Sequence, residues 1–369
     1  MFLDKVANEH FEVMKANDLA GWRENRTAGS LETRQVAIAG TLPTASVTAA
    51  KWNFTVGASA EVFQKLSQMP LKLGDVAHLF VGLQTDADDV YILEEIRRDK
   101  NLVLCESKYT GHQHYFENEH LKPFLKGSLN IRRYYLSDAS KRLIFPYETK
   151  NAKSVLIDAK NYKQKYPLVW AYLETCRERL SIRNKGRMGK EWYGYVYKKN
   201  HTRFDGAKLL VPSIATGSCF AADSEGIYYF VGSGGGGGGG YGISLDSKLE
   251  FFPRYLLGLL NSNLLSAYLK TVSTPFRGGY LALNRQYIEQ LPIRPINFSD
   301  PADKARHDTM VGLAESMLAL HKHKAAAQTQ PEQELLQRQI EITDRQIDAL
   351  VYELYELTPA EIAIVEGAG

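Results

Sequence analysis

The sequence predicts an α+β protein: short, mixed and antiparallel strands with flanking helices, followed by a C-terminal helical pair. Three observations carry this. From Leu71 to about Ile293, brief apolar runs are broken by turn residues, the pattern of many short strands. Two longer stretches within that region repeat apolar residues at helical spacing. Beyond Pro295 the pattern changes to two long helices with a break at Pro331. These shifts divide the chain into a lead-in at residues 1–70, a central domain at 71–295 and a helical tail at 296–369.

In chain order, Phe2 to Leu19 has helical spacing of Phe2, Val6, Phe11 and Met14, whereas Gly21 to Ala50 shows little periodicity. A short helix is expected from Ser59 to Gln68, with Ser59 as its cap and Val62, Phe63 and Leu66 on one face. Strands are expected at Leu79–Val81, Val90–Leu93, Leu102–Leu104, Leu143–Phe145, Leu209–Val211 and Ile227–Phe230. Helices are expected at Tyr166–Ile182 and Arg254–Lys270, and in the tail from about Asp303 to Gln328 and on to Leu357. Ile340, Ile347, Leu350, Leu354 and Leu357 form a narrow apolar seam, which antiparallel packing within the chain would satisfy.

A chain of 369 residues with 44% apolar content can bury a sizeable core. No apolar run approaches the roughly 20 residues of a membrane span, and Met1-Phe2-Leu3-Asp4-Lys5 lacks the apolar segment of a secretion signal. A cytoplasmic protein with no membrane partner is expected. Cys105, Cys176 and Cys219 are widely spaced with no CxxC pair, so neither a disulfide framework nor a zinc site is indicated.

The segment from Arg177 to Lys208 is the most informative. Arg177, Arg179, Arg183, Lys185, Arg187 and Lys190 precede Trp192, Tyr193, Tyr195 and Tyr197, and Lys198, Lys199, Arg203 and Lys208 follow. Cations neutralise phosphates and rings stack on bases, so nucleic acid is the first partner to consider. The alternative is a solvated Arg-rich helix followed by a buried aromatic strand. Net charge is only +3, so positive potential must be local to one face. Ile131-Arg132-Arg133-Tyr134-Tyr135, after Lys126-Gly127-Ser128, repeats the same chemistry.

Other motifs are less specific. Phe230-Val231-Gly232-Ser233-Gly234 superficially matches a glycine loop for S-adenosylmethionine or a dinucleotide, but the run to Gly240 is followed by Tyr241-Gly242-Ile243-Ser244 and not by a helix. A flexible loop between two strands is the better reading. Glu106-Ser107-Lys108 after the strand at Leu102, with Asp86, Asp88 and Asp89 upstream, has the layout of a metal-dependent nuclease. His112, His114 and His120 lack the further ligands of a tetrahedral metal site and read as loop residues.

An ordered series of segments then identifies a family. It runs through Leu73-Gly74-Asp75-Val76-Ala77, Val81-Gly82-Leu83-Gln84-Thr85-Asp86, Leu121-Lys122-Pro123-Phe124-Leu125-Lys126-Gly127-Ser128, Lys208-Leu209-Leu210-Val211-Pro212 and Tyr255-Leu256-Leu257-Gly258-Leu259-Leu260-Asn261-Ser262. It closes at Gln346-Ile347-Asp348-Ala349-Leu350-Val351-Tyr352-Glu353-Leu354. From about residue 50 to 366 the chain resembles the TaqI-like C-terminal target-recognition domain of adenine-specific DNA methyltransferases, including the fused type II restriction-modification enzymes.

The resemblance implies double-stranded DNA as partner, held across a basic cleft facing a methyltransferase catalytic domain or subunit. Those methyltransferases carry Asn/Asp-Pro-Pro-Tyr/Phe around the flipped base. This sequence contains no Pro-Pro pair. The methyl-transfer domain is therefore expected to lie outside this chain, and S-adenosylmethionine with it; no catalytic residue, cofactor or metal is assigned here. Contacts to phosphates and bases are expected from Lys126, Arg132, Arg133, Arg183, Lys185, Arg187, Lys198, Arg203, Arg277 and Tyr280. Arg277 and Tyr280 sit in the turn-rich Thr274-Pro275-Phe276-Arg277-Gly278-Gly279-Tyr280. Two rivals remain: a nuclease using Glu106 and Lys108, and an interaction subunit that recruits a methyltransferase through its helical tail.

Overall fold

The computed structural model describes residues 9–16, 37–44, 59–137, 140–232, 238–245 and 253–367. It is α+β, as expected. The strands are β1 (His10–Ala16), β2 (Ala37–Pro43), β3 (Ala77–Val81), β4 (Ile92–Arg98), β5 (Leu102–Ser107), β6 (Gln113–Glu117), β7 (Leu121–Leu125), β8 (Lys141–Ile144), β9 (Lys208–Pro212), β10 (Ala221–Asp223), β11 (Tyr229–Phe230) and β12 (Gly240–Leu245), with shorter pairs between them. The helices are α1 (Ser59–Ser67), α2 (Ala159–Lys165), α3 (Pro167–Thr175), α4 (Arg177–Ser181), α5 (Pro253–Leu260), α6 (Asn263–Val272), α7 (Arg285–Ile288), α8 (Pro301–Ala326), α9 (Gln330–Leu354) and α10 (Pro359–Val365).

Two sheets organise the chain. A four-stranded antiparallel sheet runs β10-β9-β12-β3, and a six-stranded sheet runs β11-β7-β8-β4-β5-β6, in which only the β11–β7 pairing is parallel. Every residue of β9 is buried. Its alternation explains why: Leu209 and Val211 enter a core shared with α5, α6, α8 and α9, while Leu210 enters a second core under the six-stranded sheet. The four-stranded sheet is thus covered on both faces, which is why Leu209-Leu210-Val211 reads as an unbroken apolar run.

Four expectations need correction. His10–Ala16 is a strand paired with Ala37–Pro43, not part of a helix; Phe11 and Val13 are half-buried while Glu12 and Met14 are exposed, a period of two. The rest of the expected helix lies outside the described residues. Asp88–Tyr91 is a helical turn and the strand starts only at Ile92, because the Thr85 hydroxyl accepts from the Ala87 amide and bonds Asp88, holding a turn. The helix expected over Tyr166–Ile182 bends at Cys176. The helix expected over Arg254–Lys270 is two helices, because Ser262 caps α6 through the Leu265 amide and the Asn261 side chain bonds both the amide and the carbonyl of Phe220.

In the tail, α8 and α9 pack against each other and against α5 and α6. Ile340, Ile347 and Leu354 are buried and belong to the first core with Met310 and Met317. Gly258 lets α5 approach α8, since a Cβ there would stand 2.4 Å from the Met310 sulfur.

Polar groups inside these cores make predictions. Lys208, in the expected basic series, is fully buried and pairs with Asp223 at 2.6 Å, so it is structural and not a surface cation. Lys208→Met leaves that carboxylate unpaired and is expected to lower stability by about 3 kcal/mol, read from the denaturation midpoint. Burial holds His120 down to about 3 and both His201 and His321 to about 4, against an ordinary 6.5. Each folded-state value lies below the unfolded one, so the unfolded chain takes up protons first as pH falls. The stability they contribute is full above pH 6.5 and is lost on acidification, by roughly 3 kcal/mol or more near pH 4. Denaturant midpoints that stay level from pH 7 to pH 4 would contradict this.

Candidate nucleic-acid interface

The basic segment after α4 folds around one arginine. Arg183 is 3% exposed. Its guanidinium donates to the carbonyls of Leu180, Thr85, Trp192 and Gly194 at 2.7–3.0 Å and to the Tyr91 hydroxyl at 3.1 Å. Tyr91 in turn donates to the carbonyls of Tyr193 and Gly194. Buried and bonded to five acceptors inside the protein, Arg183 is not available to phosphate; its expected role is corrected to pinning residues 180–194 against 85–91. Trp192, Tyr193 and Tyr195 are likewise buried in the second core, so those rings are not stacking platforms. Tyr197 alone of that aromatic series is exposed, at 51%.

Just beyond the pin the chain reverses. Asn184, Lys185, Gly186 and Gly189 all take left-handed backbone angles, with φ between 50° and 74°. This makes a tight exposed loop from which Lys185, Arg187 and Lys190 face solvent without an ion-pair partner among the described residues. Lys198 is exposed but reaches back to Glu191 at 2.5 Å. Tyr197 bridges to Gln84, and Asn200, at φ 63°, bonds the Val81 carbonyl, so this stretch runs beside the end of β3.

The edge strand β3 carries a second cluster that sequence reading missed. His78 of β3 lies within electrostatic reach of exposed Arg203 and of exposed Arg285 of α7; after desolvation, these two charges hold the imidazole below its ordinary value. Arg285 also pairs loosely with Glu289 at 3.1 Å. One signal pointed here: from 251 to 288 the sequence contains no Asp or Glu.

The third piece is the hairpin 274–281. Pro275 pairs with Leu281, the Phe276 amide donates to the Tyr280 carbonyl at 2.7 Å, and the Ala282 amide donates to the Thr274 carbonyl. Gly278 and Gly279, both at φ +76°, close the tip. Residues 276–280 are all exposed, among them Arg277, Phe276 at 53% and Tyr280 at 43%. The Thr274 and Tyr287 hydroxyls bond at 2.6 Å, tying the hairpin to α7 and hence to Arg285.

The other expected residues lie elsewhere. Arg133 makes a two-pronged pair with Asp344 of α9, both contacts at 2.6 Å, and donates to the Asn261 carbonyl. It fastens the helical tail, which corrects its assignment as a DNA contact. Arg132, beside it, is exposed and near Cys219. Exposed Lys126 lines a cavity of about 530 Å³ with Asp88, Asp89, Glu94, Glu106, Lys108 and Lys141.

That cavity brings together the nuclease candidates. Its acids are largely committed: Asp88 to Thr85, Asp89 to Arg179, and Glu94 to Lys141 and Ser140. Among the described residues no group of three His, Cys, Asp or Glu side chains could hold a metal ion. Two described glycines beside it are committed to the backbone. The Gly232 and Gly240 amides are spent on the carbonyls of Leu83 and Val231, and Gly240 opens a strand where a cofactor site needs a helix. Five residues of that run, 233–237, lie outside the described residues.

Comparison with known proteins agrees with the resemblance read from the sequence. The chain is 24% identical to the type II restriction enzyme and methyltransferase RM.Eco57I of Escherichia coli, in an alignment covering 99% of this chain and 37% of that relative. The chain thus spans little more than a third of the length of this curated relative. Residues 122–293, which include all ten expected contact residues, match the TaqI-like C-terminal specificity domain.

Proposed function

We propose that this chain is the DNA-reading part of a restriction-modification enzyme, and that an adenine-specific methyltransferase catalytic part, with its S-adenosylmethionine, lies outside these residues. The observation that carries the proposal is the coincidence of two things: the match over 122–293 and the presence in that span of the exposed loop 184–190, Arg203, Arg285 and the 274–281 hairpin. Lys185, Arg187, Arg203 and Arg285 contact phosphates and fix position, while the hairpin reaches the groove where sequence is read.

Selection from a pool of randomised duplexes tests this. One short sequence is expected to be enriched over successive rounds. A pool that stays random while still binding would contradict sequence reading.

A recruiting role for the tail is compatible with DNA reading and has one supporting observation. Leu335 and Ile342, two turns apart on α9, are 57% and 49% exposed. Deleting residues 303–369 would not test it, because Met310, Ile340 and Ile347 would leave the core. Replacing Leu335 and Ile342 by Asp is the appropriate variant, with loss of methyltransferase co-purification as the supporting result.

A further inference from the structure

The hairpin at 276–280 carries a feature that phosphate binding does not use. Phe276 and Tyr280 stand directly opposite each other across the turn, joined by the Phe276 amide to Tyr280 carbonyl bond. Opposed residues of a hairpin share a face, so both side chains project from one side of the tip. They are among the most exposed rings of the described residues. Phe276 has no polar atom with which to recompense its exposure to water. Below them the hairpin is held firmly: Ile214 and Ala215 pair with Ala282 and Leu281, the Leu283 amide donates to the Ser213 carbonyl at 2.8 Å, and Leu281 to Leu283 are buried.

The charge around the rings indicates what they enter. Arg277 is at the tip, Lys270 is exposed on the preceding helix and Arg285 on the following one, with no acid in the sequence from 251 to 288. An apolar tip that carries Arg277 and is tied to the helix of Arg285 suits a polyanion with an apolar, stacked interior. Duplex DNA has that chemistry.

We infer that the 276–280 hairpin is a wedge: the Phe276 and Tyr280 rings enter the base stack of bound duplex and unwind it locally, while Arg277 follows into the same groove. This rests on the DNA-reading proposal and deepens it. Glycines at 278 and 279 keep the tip narrow enough to enter, since neither adds a side chain beside the rings. Tyr280 lies 3.5 Å from where a Cβ on Gly278 would be, so a larger residue there would crowd the ring.

A plasmid-unwinding assay tests the wedge without knowledge of the recognised sequence. The full chain is bound at low salt to relaxed closed-circular plasmid, topoisomerase I is added, the protein is removed, and the linking number is read from the topoisomer ladder. Wild type is expected to shift the ladder in proportion to protein bound. The Phe276→Ala/Tyr280→Ala variant is expected to bind at least about fivefold more weakly and, at matched occupancy, to leave the ladder unshifted. Phe276→Leu, which keeps an apolar wedge, is expected to retain the shift. Because these side chains are exposed, all variants should melt with wild type.

Wild type that binds plasmid without shifting the ladder overturns the wedge and leaves DNA reading intact. Wild type that binds no duplex at all overturns both. A double variant that shifts the ladder like wild type but no longer co-purifies with a methyltransferase assigns the rings to a protein interface and also overturns the wedge.

Discussion

Arg183→Ala is expected to destabilise the protein by about 5 kcal/mol, while Arg187→Ala, four residues on, stays within about 0.5 kcal/mol of wild type. The two arginines belong to the same basic run. One is 3% exposed and donates to four carbonyls and a hydroxyl, whereas the other stands in solvent on the loop. Removing the guanidinium leaves buried acceptors at Thr85, Leu180 and Trp192 without it, each worth about 1–3 kcal/mol, leaves Gly194 with only the Tyr91 hydroxyl, and opens a cavity beside Tyr91. Arg183→Lys should recover little, because one ammonium cannot supply a planar fork of donors to partners on three segments. Urea denaturation of the three variants is the measurement. An Arg183→Ala protein as stable as wild type but defective in DNA binding would return that residue to the interface.

Replacing Lys185, Arg187, Arg203 and Arg285 together by Ala is expected to flatten the salt dependence of DNA binding by about 3–4 units of log–log slope. Every phosphate that the variant no longer neutralises keeps its counterions and takes about 0.9 of a unit off the slope, and the four contributions should add. Affinity at physiological salt should fall by about a hundredfold or more. Stability should move by less than about 0.5 kcal/mol, since all four side chains are exposed and the one ion pair among them, Arg285 with Glu289, lies on the surface. Arg133→Ala should behave in the opposite way: weaker docking of the helical tail, because Asp344 loses its partner, and an unchanged salt slope.

These contrasts show what the sequence makes legible. Periodicity carried the local elements well where burial is two-sided or seam-like: Val62, Phe63 and Leu66 of α1, the run Leu209 to Val211, and Ile340, Ile347 and Leu354 are all buried where the pattern puts them. It failed where the partner is distant. The strand His10–Ala16 depends on Ala37–Pro43, and the breaks at Cys176 and Asn261 depend on caps and on the Phe220 backbone. Phe2, Val6, Phe11 and Met14 match helical spacing, but Phe11 and Val13 also match strand spacing, and only pairing decides.

The candidate interface was legible as a composition and not as an inventory of contacts. A run of cations does not say which one is folded inward, because that depends on carbonyls from elsewhere in the chain. Thr85 is 98 residues from Arg183, and Asp344 is 211 from Arg133. The aromatic residues Trp192, Tyr193 and Tyr195 look equally suited to stacking on bases and to filling a core, and the core takes them. Arg285 escaped notice because its immediate neighbours, Asn284 and Gln286, are neither rings nor cations; only the fold brings it to His78. The exposed turn that holds Arg277 and Tyr280, by contrast, was legible from turn chemistry alone, since two adjacent glycines disfavour a strand or an α-helix there.

Site-specific photo-cross-linking tests most directly the claim that duplex DNA lies against the exposed loops and hairpin of this unit. With benzoylphenylalanine in place of Tyr280 on the hairpin, or of Tyr115 on the outer strand of the six-stranded sheet, the full chain is irradiated with labelled duplex. Both positions are exposed, at 43% each, so accessibility does not favour either. Strong cross-linking from position 280 and little from 115 is the predicted result. Cross-linking from 115 alone would contradict the placement of DNA, and none from either position would contradict the interface itself.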